Sequence, residues 1–214
     1  MKQILWALLL ISTGTLAQNE KARPGSEYDG VAGSPYLYKD WVKGTVYYKN
    51  GRIVDQFKLR FDCARNFLQL EFKGQSFAPQ VTTITSFVMY PKDSKDSVVF
   101  RKGFPAHGTF NGDTFYEVMQ TGKAPLLHLL SKSIIEKKDM LPNATTKYFE
   151  EEDLYFLVVN GRNILLEKGD REKLAKQFPE QEAALLKYMN DEELKMRTAG
   201  DFRKFAEKYN ELLN

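Results

Sequence analysis

The feature that most constrains the fold of this chain is a change in the spacing of its hydrophobic residues near Gly169. Before that point, apolar and polar side chains alternate, as in residues 57–61, which is typical of strands with one solvated face. After it, apolar side chains recur every three or four positions, as in residues 202–213, which is typical of amphipathic helices. The sequence therefore predicts an α+β fold, with a β domain over residues 35–168 and a helical segment over residues 169–214 packed on it.

Short strand-like runs separated by turn residues fill the first of these segments. The runs cover residues 45–49, 52–54, 57–61, 67–72, 81–90, 97–101, 115–119, 126–135, 154–159 and 164–166. Residues 126–135 could also begin a helix, and we interpret them as a strand that follows the turn at 121–122. About eight to eleven strands in one antiparallel sheet must curl, so we expect a curled meander of barrel-like or sandwich-like form.

Local signals mark the ends of several elements. The dipeptides Asn50-Gly51 and Asn160-Gly161 each predict a hairpin with a type I′ turn, because both residues tolerate a positive φ. Asp170 is placed to cap a first helix, and Pro179 suits the first turn of a second. Residues 198–201 resemble a capping box with Asp in place of the usual Glu. Two or three short helices are therefore expected.

The first 17 residues have the pattern of a cleavable secretory signal. Lys2 precedes an apolar run over residues 4–11, and Thr15 and Ala17 put small side chains before a cut between Ala17 and Gln18. The run is shorter than the roughly 20 residues that a membrane span needs. No later stretch is apolar enough to span, so we expect an exported chain, periplasmic or extracellular, that is soluble after cleavage and has no transmembrane segment.

Residues 18–34 are polar, rich in small side chains and without hydrophobic periodicity, which predicts a flexible tether. The whole chain has 31 basic and 28 acidic residues, a net charge of +3. Such a nearly neutral balance argues against nucleic acid as a partner. The one cysteine, Cys63, leaves the exported chain without an internal disulfide.

Motifs for a cofactor, a metal ion or a catalytic set are absent from the sequence, so we expect no cofactor, no metal and no defined catalytic residue. A Cys-dependent nucleophile would need Cys63 to meet His107 or His128. The simpler interpretation is a partly buried Cys63, a surface His107, and a His128 that is either a hydrogen-bonded core residue or half-buried. The acidic run at residues 150–153 could contribute carboxylates to a hydrolase. A solvated loop explains the run better.

Aromatic residues cluster near the start of the β domain. Residues of this type can line a carbohydrate or lipid pocket or form the core and cross-strand pairs of a sheet, and the alternation of the sequence favours the core. The cluster contains Tyr36, Tyr38, Trp41, Tyr47 and Tyr48.

Two blocks of the sequence resemble a family of uncharacterised exported proteins of the Bacteroidota. They are residues 33–46, which include Pro35, Trp41 and Gly44, and residues 155–161. The resemblance implies export into a Gram-negative envelope and carries no activity or site residues. Exported proteins of that phylum can be O-glycosylated at Asp followed by Ser or Thr and a small or aliphatic residue. Asp96-Ser97-Val98 fits this pattern, which makes Ser97 a candidate glycosylation site.

These observations favour an exported cell-envelope protein that acts as a non-enzymatic binding or interaction module, with a ligand or an envelope protein as its partner. The alternative is a hydrolase-like enzyme whose carboxylates are brought together only by the fold. A third possibility is a structural or stress-related component of a larger assembly, which would expose a large apolar patch.

Overall fold

The computed structural model describes residues 28–138 and 145–213. Within these ranges the chain forms one eleven-stranded sheet followed by three helices, which confirms the α+β prediction. The strands are β1 (Val31–Ala32), β2 (Val42–Tyr48), β3 (Ile53–Asp62), β4 (Phe67–Phe72), β5 (Gln75–Phe77), β6 (Ile84–Tyr90), β7 (Val98–Arg101), β8 (Tyr116–Gln120), β9 (Leu126–Lys138), β10 (Thr145–Val159) and β11 (Arg162–Leu165). The helices are α1 (Arg171–Lys176), α2 (Glu182–Asp191) and α3 (Ala199–Leu212).

The sheet consists of two antiparallel meanders joined through β2 and β6. Its strand order is β1-β10-β9-β8-β7-β6-β2-β3-β4-β5, and β11 also pairs with β10. Only β1 runs parallel to its neighbour. The path does not close on itself, so the structure differs from the barrel-like alternative. The segment at residues 126–135 is a strand, as predicted, because it lies within β9.

Residues 28–37, named here the strap, connect distant parts of this sheet. Val31 and Ala32 form β1 beside Lys147 and Tyr148 of β10. A few residues later, the backbone of the strap hydrogen-bonds to the end of β3, where Tyr36 faces Asp62. Of the predicted tether at 18–34, residues 18–27 lie outside the described residues. The remaining part differs from a flexible tether because its backbone is hydrogen-bonded to strands far away in the sequence.

Two buried side chains hold the strap against the sheet. The ammonium group of Lys132 on β9, whose side chain is only 6% exposed, donates to the carbonyls of Ser34 and Tyr36 and pairs with Glu151. Asp62 accepts a hydrogen bond of 2.7 Å from the Tyr28 hydroxyl. Buried charges are tolerated when they are paired and hydrogen-bonded, which both of these are.

Two hydrophobic cores lie along the sheet. In the first, the three helices cover β8–β11, and Phe202 and Phe205 of α3 pack with Tyr155 and Leu157 of β10. The second lies against β2–β7 and is rich in stacked and edge-on phenylalanine rings, including Phe61 and Phe87. The sequence predicted the helical segment to pack on the sheet, and the aromatic stripe of α3 makes that contact.

The two Asn-Gly hairpins have different turns. At the second, Asn160 and Gly161 have φ values of 49° and 72°, as a type I′ turn requires. At the first, Gly51 alone has a positive φ, of 82°, so the predicted type I′ turn is wrong there. The side-chain oxygen of Asn50 instead accepts from the amide of Arg52, which stabilises a longer loop in which the glycine takes the left-handed position.

The helix ends follow the predicted capping chemistry. The carboxylate of Asp170 accepts from the amide of Lys173 at the start of α1. Thr198 and Asp201 form the reciprocal hydrogen bonds of a capping box at the start of α3. Pro179 lies in the turn before α2 rather than in its first turn, because α2 begins at Glu182.

Candidate functional site

A ladder of polar residues crosses the outer face of β6, β2, β3 and β4. Lys43 on β2 lies directly opposite Tyr90 on one side and Lys58 on the other. Lys58 in turn lies opposite Glu71 and pairs with it at 2.9 Å. Side chains in such positions have Cβ atoms about 5 Å apart, so each contacts the next. In the described ranges Lys43 has no ion pair, although it lies between a phenol and another ammonium group.

Lys43, Lys58 and Tyr90 of this ladder form the floor of a cleft of about 610 Å³. The walls come from the loop before β2 and the loop after β6. Three aromatic rings, four lysines, two aspartates and two aliphatic side chains line it: Tyr38, Trp41, Tyr90, Lys39, Lys43, Lys58, Lys92, Asp40, Asp93, Val42 and Pro91. The cleft is therefore aromatic and cationic, with little aliphatic surface.

A stack of three flat groups holds Trp41 in the wall of the cleft. The guanidinium carbon of Arg60 lies 4.0 Å from the ring centre of Tyr36 and 4.5 Å from that of Trp41. The same guanidinium donates to the side-chain oxygen of Gln69 on β4. Stacking of this kind restricts the ring of Trp41, because the guanidinium is itself fixed by a strand.

A second polar cluster lies on the face of the sheet that carries the helices. Glu117, His128 and Tyr155 are direct cross-strand partners on β8, β9 and β10. His128 Nδ1 lies 2.7 Å from Glu117 Oε2, and His128 Nε2 lies 2.8 Å from Asp153 Oδ1. The imidazole stacks on Tyr155, and Tyr155 stacks on Phe202 of α3. The cluster therefore joins the sheet to the helical segment.

The environment of His128 favours its charged form. Burial of the ring lowers the pKa of His128. The hydrogen bonds to Glu117 and Asp153 raise it by a larger amount in total, so the pKa lies above the usual value of 6.5. Both carboxylates are acceptors, so a protonated imidazole donates from both nitrogens. Neither nitrogen is then available to accept a proton from a substrate, which argues against a general-base role.

Cys63 lies beside this cluster and belongs to the core of β2–β7. Cys63, Glu117 and His128 border a cavity of about 10 Å³, which is at the lower limit for one water molecule. The thiol is 4% exposed, and burial raises the pKa of Cys63 to about 12. A thiol of this kind is not a nucleophile at neutral pH, so the structure brings Cys63 and His128 together without making a catalytic pair.

His107 lies on the opposite side of β10. Its ring packs edge-on against Phe156, whereas His128 stacks on Tyr155, and neighbouring residues of a strand point to opposite faces. His107 is half-buried, and its Nδ1 lies 2.8 Å from the carbonyl oxygen of Asn163. The two histidines therefore do not meet, and the expected surface position of His107 is wrong.

The acidic run at residues 150–153 lies inside β10 and not in a solvated loop, so that prediction is wrong. Alternation divides the run between the two faces of the strand. All four acids are exposed, but Glu151 pairs with Lys132 and Asp153 with His128 on one face of the strand, while Glu150 and Glu152 lie on the other face. Cross-strand cations on β9 keep these acids in an extended strand, and the sequence alone does not show which residues lie opposite them.

The aromatic cluster is not buried core. All five rings predicted as its members are half-buried. Tyr38 and Tyr48 rest against the core of β2–β7, and Tyr36, Tyr38 and Trp41 belong to the cleft or to the stack beside it. The preferred core interpretation therefore holds in part for Tyr38 and Tyr48, which pack against the core, and is wrong for Trp41, which lines the cleft. No signal for the lysine ladder is present in the sequence, because the ladder depends on strand register.

Ser97 is exposed in the loop between β6 and β7, one residue before β7 begins. Ala17 and Gln18, the residues at the predicted cut, lie outside the described residues. Within the described ranges, no group of three or more His, Cys, Asp or Glu side chains is arranged to hold a metal ion. In the same ranges, none of the helices is both long and apolar enough to cross a membrane.

Comparisons with protein-family models, with curated proteins and with solved structures found no match to the chain. The cleft and the His128 cluster are therefore the features from which a function can be inferred.

Proposed function

We propose that the protein is a non-enzymatic binding module of the cell envelope and that the cleft beside Trp41 is its ligand site. The observation that carries the proposal is a cleft of about 610 Å³ lined by the rings of Tyr38, Trp41 and Tyr90. That volume lies within the roughly 300–1,000 Å³ of small-molecule sites. Tyr90 is 48% exposed, so its ring is open to a ligand and is not covered by the sheet.

The rigidity of the site supports the same function. Arg60, held by Gln69, packs on Trp41, and the floor of the cleft is a continuous part of the sheet. A ligand that binds to such a surface loses little free energy to the ordering of side chains.

The hydrolase alternative has one observation in its favour, the convergence of Glu117 and Asp153 on His128. Two features count against it. Both imidazole nitrogens are engaged by carboxylates, and the adjoining cavity has room for at most one water molecule. The cluster therefore supports a structural role better than a catalytic one, and binding is the function that we propose.

Intrinsic fluorescence provides a direct test of the cleft. The sequence has two tryptophans, Trp6 and Trp41, so a chain cut after Ala17 retains Trp41 alone. We would purify the processed chain from the host envelope, confirm by intact mass that it begins at Gln18, and titrate it with neutral and acidic oligosaccharides, nucleotides and fatty acids. We expect one class of compound to change the Trp41 emission at micromolar to millimolar concentration.

The variant Trp41→Ala, measured by calorimetry, should lose most of the binding, while Tyr48→Ala, a half-buried ring outside the cleft, should retain it. Binding that is equally strong in both variants would contradict the assignment of the cleft. An intact mass that includes residues 1–17 would contradict processed export.

A further inference from the structure

We infer that the ligand of this cleft is an acidic saccharide, meaning sugar rings that carry carboxylate or sulfate groups. The inference rests on the proposed function and adds the class of ligand. Three properties of the cleft carry it: an excess of lysines over carboxylates, flat rings in place of aliphatic side chains, and two carboxylates beside the lysines.

The positive charge of the cleft is only partly balanced within the protein. Lys43 and Lys58 are direct cross-strand partners, and like charges in these positions destabilise a sheet. Glu71 offsets the positive charge of Lys58 through an ion pair of 2.9 Å. In the part of the chain that the structure describes, Lys39, Lys43 and Lys92 have no ion pair. A bound anion would lower the repulsion that remains at this floor.

The lining also limits what else the ligand can be. Val42 and Pro91 are its two aliphatic side chains, which is little surface for an acyl chain. Flat rings such as Trp41 instead suit the apolar faces of sugar rings. A sugar ring can stack on such a surface while its polar hydroxyl groups stay outside the contact.

Asp40 and Asp93 set an upper limit on the charge of the ligand. Their carboxylates line the cleft together with the lysines, so a densely charged polyanion would be repelled at two points. The same carboxylates accept hydrogen bonds from hydroxyl groups. A molecule with many hydroxyls and a few anionic groups satisfies both kinds of side chain, and an acidic saccharide is such a molecule.

The experiment compares two forms of one saccharide, the free acid and its methyl ester, in which each negative charge is removed and each carboxyl group gains a methyl group. We would titrate the processed chain with the tetrasaccharide of galacturonic acid and with its fully methyl-esterified form, following Trp41 emission and calorimetric heat. We expect the acid form to bind at least about tenfold more tightly, the effect of roughly one charge-assisted contact. We also expect its affinity to fall as the salt concentration rises.

Charge-matched variants locate the effect. Lys39→Gln combined with Lys43→Gln should reduce affinity for the acid form about tenfold and leave the ester form unchanged. Lys137→Gln combined with Lys138→Gln, which alters two exposed lysines at the end of β9, should change neither. This control also accounts for the general effect of removing two positive charges.

Each contrary outcome has a distinct meaning. Equal binding of the acid and ester forms at the cleft would overturn the acidic class and leave the proposed function in place. A response to adenosine monophosphate without a response to either saccharide would overturn the inference in favour of a nucleotide. Binding of the acid form that is unaffected by the Lys39 and Lys43 substitutions would overturn both the ligand class and the assignment of the site.

Discussion

At the scale of single residues, His128 is connected to the helices through the ring of Tyr155. Its ring is 15% exposed and lies between Glu117, which is 23% exposed, and Asp153, which is 53% exposed. Tyr155 and Phe202 continue the stack into the helical core. The protonation state of one imidazole therefore affects how firmly two parts of the molecule are held together.

This arrangement predicts how stability depends on pH. The folded-state pKa of His128 is raised above 6.5. The contribution of His128 to the free energy of unfolding is therefore fully present below pH 6.5 and is lost as the pH rises through the folded-state pKa. We expect His128→Gln to lower the free energy of unfolding by about 1.5–3 kcal/mol below pH 6.5 and by less at higher pH. Urea unfolding across a pH series would measure the difference.

His107→Gln is the matched control, since His107 has a single hydrogen bond to a carbonyl oxygen. It should keep the pH profile of the wild type. A His128→Gln curve that runs parallel to the wild-type curve at every pH would show that the cluster is not a charged link.

The sequence could not identify this cluster, although it placed His128 as a core or half-buried residue. Glu117, His128 and Asp153 come from three strands, and they meet because β8, β9 and β10 pair in one particular register. Shifting that register by one residue would send each side chain to the other face. The hydrophobic pattern predicts that these strands exist, but it does not say which residues lie opposite each other.

At the scale of elements, prediction from the sequence was most successful where the signal is local. The caps Asp170 and Thr198 were recognised because a cap depends on residues within one turn of helix. The turn at Asn50-Gly51 was misassigned because the same dipeptide suits more than one hairpin loop. Local chemistry limits the options, and the pairing of the flanking strands selects among them.

Strand β2 has a steric requirement at Gly44, which lies between β3 and β6. A Cβ atom added there would overlap with the side chain of Leu59 and the carbonyl oxygen of Val88. Backbone atoms in a central strand cannot move aside without breaking the ladder. We expect Gly44→Ala to destabilise the protein by about 3 kcal/mol, measured by urea unfolding.

Gly112→Ala provides the comparison, because a Cβ atom at Gly112 would have no neighbour within 4 Å. This variant should be within about 0.5 kcal/mol of the wild type. Similar stabilities for the two variants would mean that β2 can shift to accommodate a methyl group.

At the scale of the whole molecule, the strap is the element that was least expected from the sequence. Residues 28–34 are polar and have no period, yet their backbone pairs with β10 and their carbonyls accept from Lys132 of β9. A two-residue strand such as β1 leaves no periodic signal. Its partners are set by the curl of the sheet, which depends on every strand together.

Lys132→Met should release the strap. The substitution keeps an apolar stem of similar length but removes the donor to Ser34 and Tyr36, leaving buried carbonyls without their partner. We expect a loss of about 1–3 kcal/mol in the free energy of unfolding. We also expect faster cleavage by chymotrypsin after Tyr28, Tyr36 or Leu37.

The control is Lys137→Met, at an exposed position of the same strand, which should be cleaved at the wild-type rate. An unchanged rate in Lys132→Met would show that the strap is held by its backbone pairing alone.

The strap also has a consequence for the order in which the chain folds. Lys132 and Ser34 are 98 positions apart, and the chain entropy lost when such a loop closes grows with its length. The strap docks on β3, β9 and β10, so we expect it to become fixed only after these strands have come together, although it precedes them in the chain. Since Trp41 follows the strap by only four residues, the wall of the cleft is completed in the same late step, which Trp41 emission during refolding would report. We therefore expect the surface that we propose to bind the ligand to form only after the rest of the sheet is in place.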